Sequence, residues 1–255
     1  MDDGVHGNEI WISDGTPTGT LLLADTLPGV NGGNPSQFTL LDNGLMVFVS
    51  NNYTTDSEAP EFKLWVTDGT PAGTASFFEF KGEAHNSSSL KPLASLPDGS
   101  LAFLTYTDDN KTVLWKTDGT TAGTQPIHEI RPEGAHPVDE GIHSTVLPDG
   151  SLFFNASDGT YGTEFWRTDG TEAGTLQALD LQASTDVNTS DAFAAGRVEG
   201  VHQMQNGTVL LAANAGGPVE LWAYVPTSQT ATKLVNLFTA SSYLYYNTGV
   251  DFHDL

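Results

Sequence analysis

The sequence predicts an all-β fold, a five-bladed β-propeller with four antiparallel strands in each blade. Three observations predict it. Five tryptophans, Trp11, Trp65, Trp115, Trp166 and Trp222, recur at intervals of 50 to 56 residues. Around the first four the text is nearly constant: EIWISDGTPTGT, KLWVTDGTPAGT, VLWKTDGTTAGT and EFWRTDGTEAGT. Between them lie short apolar runs divided by Gly, Asp, Asn and Pro, and no stretch has a competing helical period. A fixed repeat of about four strands selects a propeller, in which each unit is one radial blade.

The elements of one unit follow in order. A first strand ends in a tight turn, as in PSQFTLLDNG, KPLASLPDG, HSTVLPDG and VHQMQNG. A second strand follows as LMVFVS, SLAFLTY, SLFFNAS or TVLLAAN. The third carries the Trp, and the fourth follows the final Gly-Thr as TLLLAD, TASFFEF, TQPIHEI or TLQALDL. The fifth copy, ELWAYVPTSQTATKLV, keeps the Trp strand and loses the Asp-Gly turn.

The units run over 30–81, 82–131, 132–182 and 183–240, with 1–29 and 241–255 sharing one more, all within a single domain spanning 1–255. The interval from Gly150 to Trp166 is reproduced by Gly249 to Leu255 followed by Asp2 to Trp11, with Met1 set aside. The two end segments are therefore expected to pair in one sheet, which closes the ring and removes the loose edge. The run DFHDL is poorly apolar for that role.

The repeated residues read as architecture. Asp14, Asp68, Asp118 and Asp169 each open a hairpin turn, where an Asp side chain accepts backbone N–H groups two residues on. A calcium loop would need alternating acidic ligands, which these turns lack. The five Trp are expected to fill the wedges between adjacent blades rather than stand as sugar platforms.

Composition narrows the partners. Thirty-two acidic against nine basic side chains give a formal charge of −23, which disfavours nucleic acid and anionic lipid. No apolar run is long enough for membrane insertion. Cysteine is absent, so disulfides and thiolate chemistry are excluded. The segment MDDGVHGNEIW has neither the basic nor the apolar region of a signal peptide, consistent with a mature form or an excised domain.

The units resemble the ELWxxDGT repeat of large secreted or surface-associated bacterial proteins. The residues that carry the resemblance are Glu9-Ile10-Trp11, Glu164-Phe165-Trp166 and Glu220-Leu221-Trp222, with an Asp-Gly-Thr after each of the first four Trp. Lys63 and Val113 stand where the pattern has Glu, and Asp25-Thr26-Leu27-Pro28-Gly29 matches its connector. The resemblance implies an extracellular bacterial repeat domain and carries no catalytic residues. A looser analogy, of shape alone, is with five-bladed lectins.

Recognition is expected on the face with the irregular loops. Tyr53, Tyr106 and Tyr161 with His6, then Arg131, His136 and His143, are the candidate ligand-binding residues there. The spacing of His128, His136 and His143 fits no common metal signature, so no metal site is expected, and calcium is the one cofactor that the charge leaves open. The first expectation is a non-enzymatic extracellular module that binds a glycan or a protein at a cell surface. The alternatives are a spacer or assembly domain beside other domains of a longer parent, and a glycoside hydrolase. The last needs carboxylates across a central funnel, where Thr39, Ala94, Thr145, His202 and Leu244 supply none and only Asp191, Glu199 and Asp251 lie close in sequence.

Overall fold

Among the described residues, short strands are joined in pairs by tight turns. The computed structural model describes residues 1–52, 61–80, 90–106, 111–131, 142–158, 164–179, 198–214 and 219–237. Among these there is no helix. The first sheet has two strands, β1 (Ile10–Ile12) and β2 (Leu21–Ala24). The second is β3 (Ser36–Leu40), β4 (Met46–Asn52), β5 (Glu61–Thr67) and β6 (Ala75–Phe80). The third is β7 (Leu90–Ser95), β8 (Leu101–Tyr106), β9 (Thr112–Thr117) and β10 (Gln125–Arg131). The fourth is β11 (Ser144–Val146), β12 (Leu152–Ala156), β13 (Glu164–Thr168) and β14 (Leu176–Leu179). The fifth is β15 (Val198–Gln203), β16 (Val209–Asn214), β17 (Val219–Val225) and β18 (Thr230–Asn236). Four sheets are thus simple four-stranded meanders, as the repeat requires.

Two kinds of turn set these meanders. The first joins first strand to second: Gly44, Gly99, Gly150 and Gly207 all adopt φ between 81° and 85°, a region that side chains with a Cβ avoid. The second is the Asp-Gly-Thr hairpin. In the second sheet Asp68 Oδ1 accepts the Thr70 N–H at 2.8 Å and the Thr70 hydroxyl at 2.7 Å. The Thr70 Oγ1 in turn accepts the Gly73 N–H at 3.0 Å, and Thr74 donates to the Thr70 carbonyl at 2.6 Å. Thr67 and Thr74 share a hydroxyl bond across the hairpin at 2.6 Å. The same contacts recur around Asp14, Asp118 and Asp169. The Thr hydroxyl and N–H hold the carboxyls of Asp14, Asp68 and Asp169 below the usual range.

The carboxylate lies directly over the second Gly of each turn. A Cβ on Gly19, Gly73, Gly123 or Gly174 would stand 2.0 to 2.1 Å from the Asp Oδ1. Steric exclusion, rather than a positive φ, therefore demands Gly there. Ser13 takes the place of the first Thr in the first copy and bonds Thr20 at 2.7 Å. In the fifth copy Tyr224 occupies that position, fully buried, with its ring stacked on Phe153 at 4.9 Å between centroids.

The chain divides into two compact units, Met1–Pro126 and Ile127–Leu255, the division falling within β10. In the first unit Val47, Val49, Phe62 and Leu64 pack with Leu101 and Phe103. A second group there joins Ile10, Leu23 and Phe48, with Ala24 and Trp65 against it. In the second unit Phe153 and Phe165 pack with Val209, Leu211 and Tyr224. Each such side chain contributes about 1.5–3 kcal/mol by leaving water.

The tryptophans lie within this packing. The residue four places after the closing Thr of one hairpin meets the Trp of the next sheet. Phe78 meets Trp115 edge-on at 5.8 Å and His128 meets Trp166 at 5.7 Å. Ala24 and Trp65 share one cluster, as do Leu179 and Trp222. Each indole N–H is also tied down. Trp65 donates to Ser50, Trp115 to Thr105 and Trp166 to the Ala156 carbonyl, each acceptor lying six residues past its turn glycine.

The Asp-over-Gly contact yields a first prediction. Gly123→Ala destabilises the protein by about 1–3 kcal/mol in denaturant unfolding, because the new methyl overlaps the Asp118 carboxylate. Combining it with Asp118→Ala recovers part of that loss, whereas simple additivity would show that the two groups do not collide.

Candidate functional site

Four of the seven residues proposed from sequence for recognition lie among the described residues. Tyr53, Tyr161 and His136 lie outside the described residues. Tyr106 ends β8 and is half-buried. His143 is half-buried, its N–H donating to Asn155 Oδ1 at 2.6 Å. Arg131 corrects the expectation of a rim residue: it closes β10 and is 1% exposed. Its side chain belongs to the interior.

His6 lies in the turn before β1. Asp3 Oδ1 accepts the N–H groups of Val5 and His6 at 2.9 and 2.8 Å, and its other oxygen meets His6 Nδ1 at 2.7 Å. These bonds hold the Asp3 carboxyl well below the usual range. The Asp3 hydrogen bond raises the His6 pKa above 6.5, with the charges of Asp3, Asp25 and Glu9 adding to it. An imidazole oriented by a carboxylate has the form of a general base, but no hydroxyl among the described residues is bonded to it.

Glu9, the glutamate of the EIW triplet, is 1% exposed. Burial of a carboxylate demands hydrogen bonds, and Glu9 has four. Its Oε2 accepts the Thr26 N–H at 2.8 Å and the Thr26 hydroxyl at 2.5 Å. Its Oε1 accepts the N–H groups of Leu27 and Gly33 at 3.1 and 2.7 Å. The carboxylate thus fastens the connector that leads from β2 to β3. Glu164 accepts the Asp158 N–H at 3.0 Å, and Glu220 binds Lys233 and the Trp222 indole. These three carboxylates serve the scaffold and are not poised to act on a substrate.

The cavity that stands out lies in the first unit, beside β1. It is a cleft of about 630 Å³ whose walls include Ile10, Trp11, Ile12, Phe38, Leu40 and Met46. Phe38 is 48% and Leu40 65% exposed, although both lie on a strand. Sequence reading missed this cleft. The signal that could have found it is the alignment of Phe38 with Val201, whose counterpart position packs into the core of the second unit. Among the described residues no group of three or more His, Asp or Glu could hold a metal ion. The cleft is mostly apolar, with Asn8, Glu9, Thr67 and Asp68 among its lining residues.

No family model matches the sequence, and no curated protein matches it. Solved structures do match in fold. A puromycin hydrolase aligns over 88% of this chain and 34% of its own, with 18% identity and a TM-score of 0.53. A dipeptidyl peptidase 4 from Porphyromonas gingivalis aligns over 78% of this chain and 30% of its own, with 10% identity and a TM-score of 0.51. The chain therefore spans about a third of the length of the structures it matches, and it shares with them a propeller-type all-β fold. The expectation of a non-enzymatic extracellular binding module is corrected by this comparison. The two solved proteins named here, a puromycin hydrolase and a dipeptidyl peptidase 4, are hydrolytic enzymes.

The His6 pair gives a second prediction. By NMR titration the His6 ring titrates above pH 6.5, and Asp3→Asn brings it back toward that value. Because the folded pKa is raised, the stabilisation is present below pH 6.5 and fades as pH rises through the folded value. A ring that titrates at or below 6.5 in the unmodified protein contradicts the contact.

Proposed function

We propose that this chain is the propeller-type part of a hydrolase, and that the groups performing hydrolysis lie outside the described residues. The observation that carries the reading is the fold match, 88% of this chain against 34% of a puromycin hydrolase. The use of Glu9, Glu164 and Glu220 by the scaffold supports it from within. A charge of −23 and the resemblance to secreted repeats support a setting outside the cell or at its surface.

The test is a comparison of two proteins on aryl glycosides and on aminoacyl and dipeptidyl arylamides. The product of the full reading frame is expected to hydrolyse one class, and the 255-residue chain alone neither. Glycoside hydrolysis by the isolated chain that is lost in Asp191→Asn, Glu199→Gln or Asp251→Asn would place the chemistry in this chain instead. A full-length product inert on every substrate would overturn the reading.

The five sheets are, in this proposal, the blades of one closed ring. The packing rule for tryptophan supports it. Ala24, Phe78, His128 and Leu179 are each matched to the Trp of the following sheet. Val235 is opposite Leu221, as Phe78 is opposite Leu64, and it is 49% exposed. In a ring Val235→Asp buries a charge and costs at least about 2 kcal/mol. In an open array it is a surface change within about 0.5 kcal/mol, and thermal unfolding separates the two.

A further inference from the structure

We infer that Asn31-Gly32 is a site of spontaneous covalent modification, where deamidation through a cyclic imide yields aspartate and isoaspartate. The inference is independent of the hydrolase reading, and the site lies wholly within the first compact unit.

Asparagine followed by glycine is prone to this reaction, because glycine has no side chain to keep its backbone nitrogen from the neighbouring carboxamide. The chain has three such pairs, Asn31-Gly32, Asn43-Gly44 and Asn206-Gly207. All three asparagines are exposed, so access does not separate them. Hydrogen bonding does.

In the two hairpin turns both reacting groups are engaged. Gly44 donates its N–H to the Leu41 carbonyl at 3.0 Å, while Asn43 Oδ1 accepts the Leu45 N–H at 3.0 Å. Gly207 donates to the Met204 carbonyl at 2.9 Å, while Asn206 Oδ1 accepts the Thr208 N–H at 3.0 Å. The nitrogen that must attack keeps its proton in a hydrogen bond, and the carboxamide is held pointing past it. At the third pair neither restraint is present: among the described residues, the Asn31 side chain and the Gly32 N–H have no hydrogen-bond partner.

Packing explains why a reactive pair stands here. Gly32 has a φ of 64°, and a Cβ on it would lie 2.2 Å from the Asn8 backbone nitrogen. The fold itself thus requires the glycine that makes Asn31 labile.

The reaction balances with water alone. The Gly32 nitrogen loses its proton and bonds to Asn31 Cγ, the Cγ–Nδ2 bond breaks, and the carboxamide nitrogen leaves as ammonia. Water then opens the imide. Attack at the side-chain carbonyl leaves aspartate, and attack at the main-chain carbonyl leaves isoaspartate, whose backbone is one methylene longer.

The residues that follow are fastened on two sides. Gly33 donates to Glu9 Oε1 at 2.7 Å and its carbonyl accepts the Asn51 N–H at 2.7 Å. Asn34 donates to the Asn8 carbonyl at 3.0 Å. An extra methylene directly ahead of this segment shifts Gly33 off the buried Glu9 carboxylate. Isoaspartate at 31 therefore loosens the connector from β2 to β3, a slow change that tracks the age of the molecule.

The test is a time course of the folded 255-residue chain in mildly alkaline buffer, with peptide mapping that separates asparagine, aspartate and isoaspartate. Asn31 is expected to react more than tenfold faster than Asn43 and Asn206, and the three rates to converge in the urea-unfolded chain. Equal rates at all three in the folded protein, or an Asn31 as slow as the hairpin pairs, would overturn the site. As a second readout, amide exchange at Gly33 is expected to rise more than tenfold in the isoaspartyl form. In Asn31→Asp, which has the charge without the methylene, it stays slow. Unchanged exchange in the isoaspartyl form, or an equal rise in Asn31→Asp, would overturn the loosening by the longer backbone.

Discussion

The indoles of Trp65, Trp115 and Trp166 are each held at the edge and on the face, and the meander around each depends on both restraints. The edge N–H is bonded to the end of the preceding strand: Ser50, Thr105 and Ala156 accept from Trp65, Trp115 and Trp166. The face is covered by a residue from the sheet before, such as Phe78 on Trp115. An indole offers a large apolar area and one donor that must be satisfied when buried. A smaller ring would lose the area, and one without the N–H would leave Ser50 or Thr105 without that contact. The spacing of the five tryptophans is thus a consequence of a fixed path length from hydrogen bond to packing contact.

Much of this fold was legible because its strongest signals are local. The Asp-Gly-Thr hairpin can be read from seven letters, since every bond in it joins residues of the same turn. The alternation of strands and turn glycines could be read the same way, and Gly44, Gly99, Gly150 and Gly207 sit where the turn text put them. What was not legible depends on residues far apart. Glu9 looked like one letter of a motif, and only the fold brings it to the N–H groups of Thr26, Leu27 and Gly33. Arg131 looked like a connector residue because a sequence does not say where a strand stops, and β10 runs one residue further than the apolar pattern does.

Buried carboxylates show how the repeat varies while the scaffold persists. Glu9 is satisfied by four donors from a connector, Glu220 by a lysine and an indole. Val113 at the equivalent place removes the charge altogether, and Lys63 reverses its sign. The position therefore tolerates whatever its own connector can satisfy. A carboxylate left there without donors would carry a desolvation cost larger than most single contacts in the domain.

Tyr224 carries a different consequence. A chain of nearly identical units faces an identification problem while it folds, because any unit's turn could be mistaken for another's. Turns that are alike cannot resolve it. The faces between sheets can, because each is keyed differently: two phenylalanines grip Trp115, an imidazole rests on Trp166, and a tyrosine ring lies on Phe153. The most divergent copy, which gave up its threonine pair for that ring, acts as an address label, so that the order of the units is written in their seams.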